Sequence, residues 1–513
     1  MFRKILVANR GEIAVRVMRA CRELGLRSVA VFSDCDRTAW HVQYADEAYA
    51  IGPNPAAESY LRIDRLIDVA RKAGADAVHP GYGFLAENEA FAGACRDAGL
   101  TFIGPRPEVI ALMGSKTAAR QAAERAGVLV VPGTQPLPTD ASGEDLLSRA
   151  ERVGYPLLVK AVAGGGGKGM RSVEGPAELR PAVRAARSEA QSSFGDPAVY
   201  LERRLVRPRH IEVQLLGDQH GMVVPFAERE CSIQRRHQKL IEETPSTAVS
   251  PGLREAITSA AARIAKEVDY TNAGTIEFLL DGQDDRFYFL EMNTRLQVEH
   301  PITEMVTGVD LVAAQIGIAR GERLMWDPRR LLTPEGHAVE CRVYAEDPDT
   351  GFMPSPGLIT HLRPPSGPGV RDDSGVVAGS EIPIFYDSLV SKVAAWAADR
   401  PAALGRMTRA MAEYEIRGVR TTIPFFQWIL RDEDFRAGRF DTTFVDRLFE
   451  GRRGEFPTPL PLEAETVAAM AVALHALDGH GTSRTAHELG GSSGAADGWR
   501  DRARVEALRD WPT

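Results

Sequence analysis

Two patterns place this 513-residue chain in a mixed class, α/β followed by α+β. In the first 115 residues, short apolar strands alternate with amphipathic helices, the pattern of a parallel, doubly wound sheet. From Tyr155 the pattern becomes mixed, with strands in succession and fewer helices between them. The hydrophobic fraction of 44% and charged fraction of 26% exclude fibrous and largely disordered classes. A prior of about 150 residues per domain gives three or four domains.

Lys4–Ala8 reads as a strand, Gly11–Gly25 as a helix with Ile13, Val17 and Leu24 on its apolar side, and Ser28–Ser33 as a second strand. A helix over Glu58–Ala73 stops at Gly74, a left-handed cap position. Ala75–His79 is a strand, followed by a Pro-Gly-Tyr-Gly turn and a helix from about Glu87. The first turn, Asn9-Arg10-Gly11-Glu12, lacks G-x-G-x-x-G, so dinucleotide binding has no support there. Pro132–Gly143 is a loop; a strand over 156–161, a glycine loop and a helix near 176–191 follow. His210–Leu216 alternates as a strand, with His210, Glu212 and Gln214 on one face. Residues 336–400 are strand-rich, and helices run on to about 450. In the tail, Glu463–Leu477 and Trp499–Trp511 have helical patterns around a Gly/Ser-rich linker, His480–Gly498.

A net charge of −8 argues against a global grip on nucleic acid. The five cysteines form no C-x-x-C pair, so neither a zinc site nor a disulfide framework is expected, and reduced cytoplasmic thiols are the plain reading. No run of about 18 apolar residues predicts a membrane helix. The chain enters its first strand directly after Met1-Phe2-Arg3-Lys4, which leaves no room for a targeting peptide. Only eight of the 62 cationic residues are lysine, and four of these, Lys116, Lys160, Lys168 and Lys239, fall in the motifs that follow. A lysine kept in so arginine-rich a chain suggests a need for a compact point charge.

Gly164-Gly165-Gly166-Gly167-Lys168-Gly169-Met170 follows a strand and lets backbone N–H groups approach an anion. Val162 and Gly169 break the Walker pattern, so the expectation is a glycine lid over phosphates; read alone, the run also fits a flexible linker. Two apolar strands, Gly274–Asp281 and Arg286–Glu291, flank a turn, and a hairpin centred on residue 284 makes Glu277 and Glu291 cross-strand neighbours. Opposed like charges are unfavourable unless a cation lies between them, and all-oxygen ligands suit Mg²⁺ or Mn²⁺. Beyond the hairpin, Glu291, Asn293, Arg295, Gln297 and Glu299 alternate with mostly apolar residues, so an extended segment presents them on one face. An anion held there by Arg295 could lose a proton to Glu299. A third cluster, Glu228–Lys239, has donors suited to a triphosphate or small oxyanion, or is a solvated charge run.

Together these stretches resemble the biotin carboxylase family of ATP-grasp enzymes over about residues 1–450. The resemblance rests on Ile5–Ala14, His79–Asn88, the glycine loop, Glu230–Lys239, Glu291–Glu304 and Gly336–Pro348, in that order. It implies an N-terminal Rossmann-like subdomain (1–115), an ATP-grasp domain (116–330) with a mobile lid (about 132–203), and a C-terminal biotin carboxylase subdomain (335–447); the role of the tail, 456–513, is unknown. It implies that Lys116 and Lys160 hold ATP phosphates under the lid residues Gly165, Gly166, Gly167, Lys168 and Gly169. Glu202, Leu205 and Met170 would sit at the adenine, and His210, Gln234 and His237 along the nucleotide. Glu277, Glu291 and Asn293 would hold two Mg²⁺ or Mn²⁺ ions. Lys239, Arg295, Gln297 and the Val298 backbone would bind bicarbonate, with Glu299 as base. Arg342 would stabilise the biotin enolate, and Tyr82 and Gly83 would lie near the biotin ring.

The implied reaction makes carboxyphosphate from bicarbonate and ATP, then carboxylates biotin. The chain has no Met-Lys-Met setting and no lysine after Lys392, so biotin is expected on a separate carrier protein, with carboxyltransferase subunits also separate. The segment Val370–Ala398 and Val343–Glu346 tilt the expectation toward an acetyl- or propionyl-CoA carboxylase. A two-subunit pyruvate carboxylase is the alternative, and an inactive regulatory subunit the non-enzyme reading. A carbamoyl phosphate synthetase-like ligase would share the metal pair, but Gln297–Pro301 and Glu340-Cys341-Arg342 are not expected in it. A homodimer is expected, with Pro368 and Arg371 near its interface, and neither nucleic acid nor membrane as partner.

Overall fold

The computed structural model describes residues 2–138, 142–162, 170–282, 285–456, 467 and 469–474. The expected glycine loop 164–169, the turn residues Gln283 and Asp284, and most of the tail lie outside the described residues.

The N-terminal alternation gives a parallel sheet in the order β3-β2-β1-β4-β5, from β1 (Lys4–Val7), β2 (Arg27–Ser33), β3 (Glu47–Gly52), β4 (Ala77–His79) and β5 (Thr101–Phe102). Two of these strands escape the sequence pattern. β3 lies at a sheet edge with mostly exposed or half-buried residues, and β5 has only two residues. The helix expected over Glu58–Ala73 begins later, at Ile63, after a short 3₁₀ turn, and ends at Gly74 with φ +62°, as its cap signal predicts.

A three-stranded antiparallel sheet, β7-β6-β8, follows, from β6 (Leu157–Ala161), β7 (Arg171–Val173) and β8 (Val199–Arg203). The main framework is a nine-stranded antiparallel sheet. It runs β14-β13-β9-β11-β12-β15 and continues through the strands Leu389–Ala397 and Val370–Ser374, with β10 (Val223–Pro225) paired to β9. Here β9 is Arg209–Gly217, β11 Arg229–Arg235, β12 Gln238–Thr244, β13 Asn272–Leu280, β14 Phe287–Asn293 and β15 His337–Tyr344. The sheet therefore crosses from the expected ATP-grasp span into the C-terminal span through the β12–β15 pairing. Its central strands are buried on both faces, so polar residues there need internal partners.

Ile5, Val7, Ile13 and Val17 from the N-terminal layer share one apolar core with Leu216, Phe226 and Leu311. A second core lies behind β15 and the C-terminal helices. The helix Gly11–Glu23 is buried over most of its surface because the strands Val370–Ser374 and Leu389–Ala397 also pack on it. Gly375 permits this approach: a Cβ there would lie 2.4 Å from the Glu12 backbone nitrogen. Residues up to Phe456 form one compact unit, and Pro457–Thr513 a second. Among the described residues, no single helix is long and apolar enough to cross a membrane.

Candidate active site

A cavity of about 1170 Å³ opens between the small sheet and the face of the large one. At one end stand Lys116, Lys160, Met170, Glu202 and Leu205. Lys160 is ion-paired with Glu202, whose other oxygen accepts from Arg120 at 3.0 Å. Burial lowers the pKa of the Lys116 ammonium, with Glu291 opposing that shift. Along the floor lie His210 from β9, Gln234 from β11 and His237 from the turn into β12. Arg236 and His237 both have positive φ, so this turn tilts two long polar side chains toward the cavity.

The Glu277–Glu291 register is found, by a route that includes an irregularity. Near the turn, Phe278 pairs with Phe289 and Leu280 with Phe287, a register that would set Glu277 opposite Leu290. A bulge after Glu277 restores the Glu277–Glu291 pair. Burial and the neighbouring Glu277 raise the pKa of Glu291. Burial works against the Glu277 charge too, yet Lys239 and His210 hold that carboxyl well below the usual range. Two opposed carboxylates, Glu277 buried and Glu291 open to the cavity, with the Asn293 amide alongside, form an oxygen-rich set that fits a hard divalent cation. Two other groupings of potential ligands, His210/Glu212/Glu277 and Glu212/Cys231/Glu299, also bring their atoms within 4.8 Å. Lys239 already supplies positive charge to both, since it bonds to Glu212, Glu277 and Glu299.

The expected extended segment from Glu291 to Glu299 is not a strand throughout. β14 ends at Asn293, the chain bends at Thr294–Arg295, and Glu299 begins the helix His300–Thr307. Buried Leu296 and the glutamate at 87 explain the bend: Thr294 N–H and Arg295 Nε donate to Glu87 at 2.9 and 2.8 Å. Arg295, Gln297, Val298 and Glu299 still face the same cavity as Glu291 and Asn293.

Glu299 lies between two cations. Lys239 Nζ is 2.8 Å from one oxygen and Arg342 Nη2 is 2.7 Å from the other. Burial would raise its pKa, but Lys239, Arg342 and Arg229 hold it well below the usual carboxylate range. Burial likewise works against the Lys239 charge, and Glu212, Glu277 and Glu299 outweigh it. Arg342 reaches back through Nε to Glu242 at 2.6 Å. Gln297 Nε2 and Asn293 Nδ2 donate to the same oxygen of Glu277, at 2.8 and 3.0 Å.

The cluster Glu228–Lys239 divides into two parts. Glu228, Arg229 and Glu230 face inward and pair with Arg254, Glu212 and Arg209, so they are framework groups and not an oxyanion site. Gln234, His237 and Lys239 face the cavity. Tyr82 and Gly83 do not line it. The Tyr82 ring instead lies 5.6 Å from Lys392 Nζ, and Asn9 holds its backbone oxygen at 2.8 Å. Three contributors escaped the sequence reading: Glu212, which takes both Arg229 and Lys239; Glu87; and Asp387, at the cavity wall. The polar face of β9 gave the signal for Glu212, since a carboxylate in a doubly buried strand needs a cation.

Family models match in three consecutive spans: "Biotin carboxylase, N-terminal domain" over residues 1–110, "Carbamoyl-phosphate synthase L chain, ATP binding domain" over 115–326, and "Biotin carboxylase C-terminal domain" over 340–447. The chain belongs to the biotin carboxylase family. It is 55% identical to a pyruvate carboxylase subunit from Methanothermobacter thermautotrophicus, over 88% of this chain and 91% of that protein. It is 52% identical to a biotin carboxylase of Nostoc, over 87% and 99% of the two chains. The biotin carboxylase domain of Hydrogenobacter thermophilus 2-oxoglutarate carboxylase, solved as a dimer with MgADP, ADP and bicarbonate, superposes with a TM-score of 0.83 at 48% identity, over 87% of this chain and 98% of that one. The chain is thus an ATP-grasp ligase of the biotin carboxylase type, with an N-terminal Rossmann-like part, a lidded ATP-grasp part and a C-terminal subdomain.

Proposed function

We propose that this chain carboxylates biotin on a separate carrier protein, as the first half-reaction of a two-subunit carboxylase whose acceptor is a 2-oxoacid of the pyruvate class. The acceptor reading departs from the acyl-CoA expectation. It draws on the 55% identity to a subunit of a pyruvate carboxylase and the 48% identity to the small subunit of a 2-oxoglutarate carboxylase, each over 87% or more of this chain. The carrier, the carboxyltransferase and a homodimer belong to the same proposal.

The observation that carries the chemistry is Glu299 held between Lys239 and Arg342. Lys239, Arg295, Gln297 and the Val298 N–H hold bicarbonate in this reading, and Glu299 takes its proton. An anion that accepts Lys239's donors weakens that ammonium's grip on Glu299 and raises the carboxylate's proton affinity when a base is needed. Bicarbonate attacks the γ-phosphorus of ATP, with ADP as leaving group. The carboxyphosphate formed breaks into CO₂ and phosphate, the phosphate takes the biotin N1′ proton, and N1′ bonds to CO₂. Arg342 faces the enolate oxygen. Lys116 and Lys160 bind the phosphates, and Glu202, Leu205 and Met170 enclose the base. Glu277, Glu291 and Asn293 hold Mg²⁺ or Mn²⁺, which supplies charge neutralisation of the phosphates.

The test of the acceptor uses labelled bicarbonate, a biotinylated carrier and carboxyltransferase subunits of the two types. Label is expected in a dicarboxylate when pyruvate is offered. Transfer to acetyl- or propionyl-CoA with none to a 2-oxoacid would return the chain to the acyl-CoA class.

A further inference from the structure

Lys392 is buried and does not line the cavity. It stands opposite Arg342 and Asp373 in the sheet register, so its side chain emerges on the face that carries Arg342. Its Nζ donates to the Val298 carbonyl at 2.9 Å and lies 3.3 Å from Glu12 Oε2. Glu12 comes from the first turn of the N-terminal helix, at the close approach over Gly375.

The turn that Lys392 touches is held one peptide at a time. Arg295 donates to the Leu296 carbonyl at 3.1 Å. His300, through its backbone N–H and ring Nδ1, contacts the Gln297 carbonyl at 3.3 and 2.7 Å. Lys392 takes the Val298 carbonyl. A peptide unit is planar, so fixing the Val298 oxygen also fixes the direction in which the chain enters Glu299. We propose that Lys392 is a positioning residue for Glu299: its donation to the Val298 carbonyl sets the Val298–Glu299 peptide plane and thereby aims the carboxylate between Lys239 and Arg342. This rests on the reading of Glu299 as the base.

Lys392→Met removes the donor and also strips Glu12 of its cation, which lowers stability. The Glu12→Gln/Lys392→Met double variant removes the stranded carboxylate and is expected to regain much of the lost Tm. Its kcat for bicarbonate-dependent ATP cleavage stays about tenfold low, the loss of one charge-assisted hydrogen bond, with the ATP KM within about twofold. A double variant that regains kcat along with Tm overturns the proposal, because Lys392 would then be structural. Glu12→Gln alone keeps the donation to Val298 and is expected to hold kcat within about twofold. A tenfold loss there also overturns the proposal, and this variant carries the test if the double variant does not fold. Glu299→Gln separates the two ideas. If it is inactive while the double variant turns over at the wild-type rate, only the role of Lys392 fails; if it retains full activity, the base itself is misassigned.

Discussion

Arg229 uses all five of its donors, and no part of it reaches solvent. Nε pairs with Glu212, Nη1 reaches Gln214 at 3.1 Å and Thr303 at 2.8 Å, and Nη2 reaches Thr275 at 3.2 Å and Gln297 at 2.9 Å. It thus ties two neighbouring strands, the helix after Glu299 and the amide beside the anion site. Lysine has three donors and no planar fork, so it cannot replace this guanidinium. Arg229→Met is expected to cost about 3–5 kcal/mol by stranding Glu212, read as a lower urea midpoint. Arg229→Lys is expected to recover part of the stability while the bicarbonate KM stays raised, because Gln297 has lost its holder. Glu12 gives a pH prediction. Burial raises its pKa from 4.5 to about 7 despite Lys392. A carboxyl raised on folding contributes full stability below about pH 4.5 and loses it as pH climbs toward 7. Glu12→Gln should flatten the fall of unfolding free energy across that window, by at most about 3 kcal/mol. A wild-type curve already flat between those pH values would contradict the assignment.

At the scale of elements, the β13–β14 hairpin explains what the sequence could and could not reveal. The pairing of Glu277 with Glu291 was legible because both strands are apolar enough to fix their faces. The bulge that produces it was not, since an extra residue leaves no compositional mark. The alternation from Glu291 to Glu299 was legible as a shared face, yet its backbone is half strand and half turn. That bend depends on Glu87, more than 200 residues earlier, which local periodicity cannot report. The same hairpin supplies a metal prediction. Mg²⁺ or Mn²⁺ should raise Tm by relieving the Glu277–Glu291 repulsion, chelation should reverse this, and Glu291→Gln should abolish the response. An equal metal response in Glu291→Gln would move the ion elsewhere, to the His210, Glu212 and Glu277 grouping for instance.

For the whole molecule, the decisive feature is one antiparallel sheet that carries Glu277, Glu212, Lys239 and Arg342 on strands β13, β9, β12 and β15. The class and order of the segments were readable from alternating strands and helices. The joining of the central and C-terminal spans into one sheet was not, because the β12–β15 pairing links residues about 100 apart. The unit that ends at Phe456 closes its own cores. Removal of residues 457–513 should therefore leave its Tm unchanged and its bicarbonate-dependent ATP cleavage within about twofold. A collapse of either would give the tail a structural part that the cores do not reveal.

The measurement that bears most directly on the account is ADP release by the purified chain with MgATP, with and without bicarbonate and free biotin, in the wild type, Glu299→Gln and Arg342→Ala. The wild type should need bicarbonate and respond to biotin. Glu299→Gln should lose at least about a hundredfold. Arg342→Ala should keep bicarbonate-dependent cleavage but lose the biotin response. ADP release that ignores bicarbonate, or a Glu299→Gln variant as fast as the wild type, would contradict a site built around that carboxylate.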